Sequence, residues 1–113
     1  MLIAQGEANL AFRVAKMITY YVYILKCSDD TYYTGITSNL DKRLNDHNSG
    51  IYRDSYTSSR RPLILEFYAE FTNVEIAIEW EKKIKGWSRR KKQALIEGDY
   101  ELLIRLAKKC FQK

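Results

Sequence analysis

The sequence predicts an α+β domain, a small three-stranded antiparallel sheet flanked by helices. Two stretches rich in aromatic and β-branched residues, Tyr20 to Lys26 and Thr31 to Thr37, flank the polar tetrapeptide Cys27-Ser28-Asp29-Asp30, which reads as a hairpin. A third stretch of the same character, Leu63 to Phe71, supplies another strand. The segments after the second and third strands repeat their apolar residues at helical spacing, which places helices against the sheet.

Residues 1–18 precede the first strand. Leu10, Val14 and Met17 would give a loose amphipathic helix, but the stripe is short and a mobile tail is expected, or an extension upstream of a start at Met17. The domain then runs over residues 19–108, with a short C-terminal tail over 109–113. In the first helix Ser38 or Asn39 offers a capping oxygen, Asp41 lies in the first turn, and Leu40 and Leu44 make the apolar stripe. Arg43 and His47 share one face at the same i, i+4 spacing and are expected at the edge of that stripe, outside the core.

Ser49-Gly50 ends this helix, and a polar loop carries Arg53, Arg60 and Arg61 among tyrosines and hydroxylic residues up to Pro62. Guanidinium groups pair with phosphate oxygens and aromatic faces stack on bases, so the loop suits nucleic acid, though a plain solvated connection has the same composition. In the third strand Leu63, Leu65, Phe67 and Ala69 alternate with Ile64, Glu66, Tyr68 and Glu70, which predicts a buried odd face. Asn73 can cap the next helix, with Ile76, Ala77, Trp80 and Ile84 as its stripe and Glu81 at the margin. Gly86 interrupts it and Ser88 caps another. From Lys82 to Lys92, seven of eleven residues are Lys or Arg, including Lys85, Arg89, Arg90 and Lys91. Such a run is either a solvated face or a phosphate-binding one. A last helix from Asp99 to Lys108 presents Tyr100, Leu102, Leu103 and Leu106 and is expected to pack back on the sheet.

At 113 residues and 46% hydrophobic content the chain fits one core. A net charge of +5 draws polyanions to the surface. Cys27 and Cys110 are too few for a disulfide framework and lack CxxC spacing, so free thiols and a cytoplasmic location are expected, with no zinc site. No apolar run reaches the ~20 residues of a membrane helix, so no membrane partner is expected.

Tyr21-Val22-Tyr23 and Tyr33-Thr34-Gly35, an arginine ten residues after Tyr33, a histidine one turn later and Glu81 on a later helix together resemble the GIY-YIG nucleases. The likeness covers Tyr20 to Ile96 and is to small single-domain members, related to the N-terminal nuclease domain of an excinuclease. Tyr21 stands where the family has glycine, Thr34 where it has isoleucine, and no asparagine follows Asn73 to match the one some larger members carry.

The resemblance implies a catalytic set of Tyr23, Tyr33, Arg43, His47 and Glu81. Phosphodiester hydrolysis needs an activated water, neutralisation of charge on the phosphoryl oxygens and stabilisation of the leaving alkoxide. A phenol, with a pKa of about 10, serves as base only if neighbours lower it. Both tyrosines are expected to surround the water, with neither singled out. Arg43 would clamp the phosphate, and His47 would bond the nucleophile, a tyrosine or the phosphate. Glu81 would hold one Mg²⁺ or Mn²⁺. The two tyrosines share a face only if Tyr23 lies opposite Gly35 and Leu25 opposite Tyr33, leaving Ser28 to Asp30 in the hairpin loop.

The expected activity is endonucleolytic cleavage of DNA, in branched or damaged strands, with Arg53, Arg60, Arg61, Lys82, Lys85, Arg89, Arg90 and Lys91 binding the nucleic acid. Its rival is a nucleic-acid-binding module that keeps the fold and does not cleave. A protein adaptor using Trp80 and Trp87 is the third reading.

Overall fold

The computed structural model describes residues 18–51 and 53–111. Of the expected N-terminal tail, residues 1–17 lie outside the described residues, as do residues 112–113 and the side chains of 109–111. Three strands, β1 (Tyr20–Lys26), β2 (Tyr32–Thr37) and β3 (Ile64–Phe71), alternate with helix α1 (Leu40–Ser49) and are followed by α2 (Val74–Lys85), α3 (Arg89–Glu97) and α4 (Tyr100–Phe111). The sheet is antiparallel with the order β2-β1-β3.

Strand β1 is central and has both faces covered, which is why its middle, Val22 to Leu25, is hydrophobic on both faces and does not alternate. Val22, Tyr23, Ile24 and Leu25 are all fully buried, each contributing roughly 1.5–3 kcal/mol relative to an exposed side chain. Val22 and Ile24 pack with Ala77 and Ile84 of α2 on one face. Tyr23 and Leu25 pack on the other with Leu63 and with Leu40 and Leu44 of α1. The sheet is thus sandwiched between α1 and the later helices.

The hairpin has the register that puts both tyrosines on one face: Tyr23 lies opposite Gly35 and Leu25 opposite Tyr33. Cys27 N–H bonds Thr31 O at 2.8 Å, and Asp30 N–H closes a turn on Cys27 O at 3.0 Å. Asp30 takes a left-handed conformation with φ 69, which Asp tolerates better than most residues and which a three-residue hairpin loop uses at its last position. Asn39, and not Ser38, caps α1 by accepting from Lys42 N–H. Asn73 and Ser88 cap α2 and α3 as expected.

Strand β3 departs from simple alternation. Ile24 pairs with Phe67, but Leu25 pairs with Leu65, so Glu66 is the extra residue of a β-bulge. The odd residues are therefore divided: Leu63 and Leu65 join the α1 face, whereas Phe67 and Phe71 join the face under α2 and α3. Bulges leave no mark in hydrophobic periodicity, so the expectation of one buried odd face fails here.

In α2 the inward stripe is narrower than expected. Ala77 and Ile84 are buried, while Ile76 is 45% and Trp80 39% exposed. Helix α4 packs against α3. It does not close down on the sheet as expected: Leu103, Ile104 and Ala107 face Phe67, Ala69 and Trp80 across an apolar cleft of about 530 Å³.

Candidate active site

The α1 face of the sheet carries the candidate site. Tyr23 and Tyr33 project from adjacent strands with ring centroids 6.4 Å apart. The ring of His47 meets both edge-on, at 6.1 Å from Tyr23 and 5.3 Å from Tyr33. Tyr23 Oη lies 3.0 Å from His47 Nε2. Gly35, opposite Tyr23, makes room for this phenol, because a Cβ there would overlap Oη and Cζ of Tyr23.

His47 is 2% exposed and is the buried residue of α1, which corrects its expected place at the wet edge of the helix. An imidazole is buried at little cost only when both nitrogens are bonded. Here the second, Nδ1, lies 2.9 Å from Thr57 Oγ1, and Thr57 is itself fully buried. Burial, and then the positive charge of Arg43, push the His47 pKa below its ordinary value, with Asp46 opposing them. These causes favour the neutral ring, with one N–H and one lone pair.

Arg43 sits one turn before His47 and lines a shallow recess with Thr37, Asn39, Lys42 and Asp46. Glu81 belongs to the inward stripe of α2 together with Ala77 and Ile84, at 13% side-chain exposure, and pairs with Lys85 at 3.6 Å. It stands outside the hydrogen-bonded tyrosine–histidine cluster. Lys85 nevertheless lines one cleft, of about 360 Å³, with Tyr33 and Tyr56, so the acid's ion-pair partner borders the space that Tyr33 borders; the fully buried Tyr23 does not line it.

Among the described residues no three His, Cys, Asp or Glu side chains form a metal-binding group. A single carboxylate can serve a hard divalent ion that keeps most of its waters, as Mg²⁺ does, but not a dedicated all-protein cage; the Glu81 carboxylate is mostly buried and paired with Lys85.

The loop from residue 53 to 61 is not a loose solvated connection. Arg60 Nε donates to Asp29 Oδ2 at 2.9 Å, and its guanidinium lies 3.8 Å from the centroid of the Tyr56 ring. Tyr56 Oη donates to Thr31 Oγ1 at 2.7 Å, and Thr31 Oγ1 in turn donates to Asp29 Oδ1 at 2.6 Å. These bonds staple the loop to the hairpin turn. They stack Tyr56 on Tyr33, with centroids 6.3 Å apart, and press Thr57 onto His47. Thr57 and Tyr56 are the site residues that sequence reasoning missed; a threonine in a polar loop carries no signal of burial.

The basic residues fall into two groups. Arg61 donates to the carbonyls of Ser58 and Asn48, Arg89 bonds Asp30 and lies over the Tyr32 ring, and Arg60 is committed to the staple. Lys91 lies 4.7 Å from the Trp87 ring centroid. Arg53, Lys82 and Arg90 are exposed. Cys27 is buried with its thiol free, and burial pushes its pKa up. No helix among the described residues is long and apolar enough to cross a membrane.

The model of the GIY-YIG catalytic domain matches residues 19–94. A UPF0213 protein of Syntrophus aciditrophicus is 47% identical over 81 residues, covering 72% of this chain and 93% of that one. The UPF0213 protein BH0048 of Halalkalibacterium halodurans is 40% identical over 93 residues, covering 80% and 98%. Among solved structures, the solution structure of protein EF2693 from E. faecalis superposes with a TM-score of 0.53 at 29% identity, covering 73% of this chain and 86% of that one.

Proposed function

The chain belongs to the GIY-YIG family, and from that premise and the gathered phenols and imidazole, with Arg43 one turn before that imidazole, we propose a divalent-metal-dependent endonuclease that hydrolyses DNA phosphodiester bonds in branched or damaged strands. The observation that carries this reading is the Tyr23–His47 hydrogen bond of 3.0 Å, which gives a phenol a neutral imidazole as its proton partner. A neutral phenol cannot abstract a proton and keep its own. With a lone pair on Nε2, Tyr23 can take a proton from water at Oη while passing its own to His47.

Arg43, on the same face of α1, clamps the phosphate and offsets charge growing on its oxygens. Tyr33, packed edge-on against His47, forms the second wall around the attacking water. Glu81 is the residue that would hold Mg²⁺ or Mn²⁺, and a bound ion would supply charge stabilisation for the leaving group. Burial of Tyr23 and His47 raises the worth of each of these interactions by excluding bulk water.

One observation favours the alternative, a nucleic-acid-binding module without cleavage: the Glu81 carboxylate is paired with Lys85 and not open. The two readings separate on incubation of supercoiled plasmid and branched DNA with pure protein and Mg²⁺ or Mn²⁺. Nicking that disappears in Arg43→Ala and Glu81→Gln supports the nuclease. Salt-sensitive binding that survives Glu81→Gln, with no nicking under either metal, supports the module.

A further inference from the structure

We propose that Thr57 is a positioning residue for the Tyr23–His47 pair, its buried hydroxyl accepting the Nδ1–H of His47 so that the lone pair of Nε2 faces the Tyr23 phenol. The inference rests on the nuclease reading for its purpose, but the tautomer it assigns is a property of the free protein.

A neutral imidazole has one N–H, and two hydroxyl groups bracket it: Thr57 Oγ1 at 2.9 Å from Nδ1 and Tyr23 Oη at 3.0 Å from Nε2. If Nε2 carried the hydrogen, it would donate to Tyr23 and no lone pair would face the phenol. The tyrosine would then be a base only as a phenolate. If Nδ1 carries the hydrogen, Thr57 accepts it, Tyr23 donates to Nε2, and the phenol proton already points at its acceptor. Thr57 can take this role because a second hydroxyl, Ser55 Oγ, lies 3.0 Å from its Oγ1 and can accept the threonine's own proton.

The step balances. The water oxygen forms a bond to phosphorus, and the bond from phosphorus to the leaving oxygen breaks. The water proton goes to Tyr23 Oη, the phenol proton goes to His47 Nε2, and the leaving alkoxide takes a proton from solvent water. The imidazolium then donates from both nitrogens, to Tyr23 and to Thr57, and later releases its extra proton to solvent. Thr57 accepts the same N–H throughout, so it need not reorient as charge develops. Partners of this kind fix ring orientation without touching the reacting atoms, and their loss typically costs about 10- to 100-fold at metal-ligating histidines, a comparable setting.

His47 is the one histidine in the sequence, so ¹⁵N-histidine labelling gives the signals of a single imidazole. At a pH above its titration, wild-type protein is expected to show a protonated Nδ1 and an unprotonated Nε2. Thr57→Val, which keeps the shape and removes the hydroxyl, should shift the ring toward the Nε2–H form, and Thr57→Ser should restore the wild-type spectrum. On a cleaved DNA, Thr57→Val should lower kcat about 10- to 100-fold with KM nearly unchanged, and Thr57→Ser should recover most of the rate. An Nε2–H ring in wild type, or an unchanged spectrum and rate in Thr57→Val, overturns the proposal. A wild-type protein that holds the Nδ1–H form and never nicks DNA removes the nuclease reading and leaves the tautomer assignment standing. Should Thr57→Val fail to fold, the wild-type tautomer together with the rate of Thr57→Ser decides.

Discussion

Tyr23 and His47, 24 residues apart in sequence, meet through a 3.0 Å hydrogen bond between two side chains that are 0% and 2% exposed. Neither strand nor helix alone would make that contact. It depends on the hairpin register that turns Tyr23 toward α1 and on the leucine pair that seats α1 on the sheet.

The environment of His47 sets a pH dependence. Its folded pKa is held below the ordinary imidazole value of about 6.5, first by burial and then by Arg43. Below that ordinary value the unfolded chain binds the extra proton more readily, so stability is full above it and is lost as pH falls through the lower, folded pKa. On the proposed mechanism cleavage needs a neutral ring and should fall along an acid limb centred below the ordinary value. Urea titrations and kcat measured from about pH 4 to 8, a span that brackets the imidazole range, check both, and an acid limb above the ordinary value contradicts the environment described here.

Gly35 has an ordinary strand conformation, so the requirement for glycine comes from the Tyr23 phenol lying where a Cβ would be. Gly35→Ala should force the ring off His47 and cost about 1–3 kcal/mol, the usual range for overpacking, measured by urea denaturation. The His47 signal should move in the same variant, whereas a substitution at Gly98, where a Cβ meets nothing, should leave it in place.

The fold was legible because its strongest signals are local. The aromatic and β-branched runs marked the strands, Ser38 or Asn39, then Asn73 and Ser88, marked the helix starts, and the family resemblance, by requiring Tyr23 and Tyr33 to share a face, predicted the register. Three things were hidden. The bulge at Glu66 changes no composition, so Leu65 and Phe67 look equivalent in sequence though they serve opposite faces. His47 reads as an edge residue on a helical wheel, because the partners that make its burial tolerable are non-local. Thr57 looks like any loop hydroxyl until the staple through Asp29 and Arg60 carries it over the imidazole.

The two groups of basic residues should behave differently on mutation. Lys82 and Arg90 are exposed, so replacing either with Ala should leave stability within about 0.5 kcal/mol. If either touches a phosphate, its loss should reduce the salt slope of DNA binding by about one. Arg61→Ala should instead destabilise the fold, since its guanidinium holds the Ser58 and Asn48 carbonyls. Binding measured from about 50 to 200 mM salt, where phosphate contacts dominate the slope, beside urea curves, separates the classes. Equal stability losses in all three variants would contradict the division.

Asp29 anchors the loop staple. It accepts from Thr31 and Arg60, and these bonds, with Thr31 first, hold its carboxyl below the usual range. Asp29→Ala removes the Arg60 ion pair and the bond that orients Thr31, and leaves the loop held by Tyr56 Oη on Thr31 Oγ1 and by Ser28 N–H on Arg60 O. Exposed ion pairs contribute little to stability, so global stability should change little. The local effect should be larger: with its carboxylate partner gone, Arg60 keeps the Tyr56 carbonyl and its backbone bonds, and the loop holds Thr57 less firmly against His47. Water then reaches the imidazole, and the dominant cause of its lowered pKa weakens. The His47 titration, followed by NMR on this single histidine, should move upward toward the ordinary value, and amide exchange across residues 53–61 should quicken. A His47 titration identical to wild type in Asp29→Ala would mean that α1 and the sheet alone bury the ring, and that the loop plays no part in setting its charge.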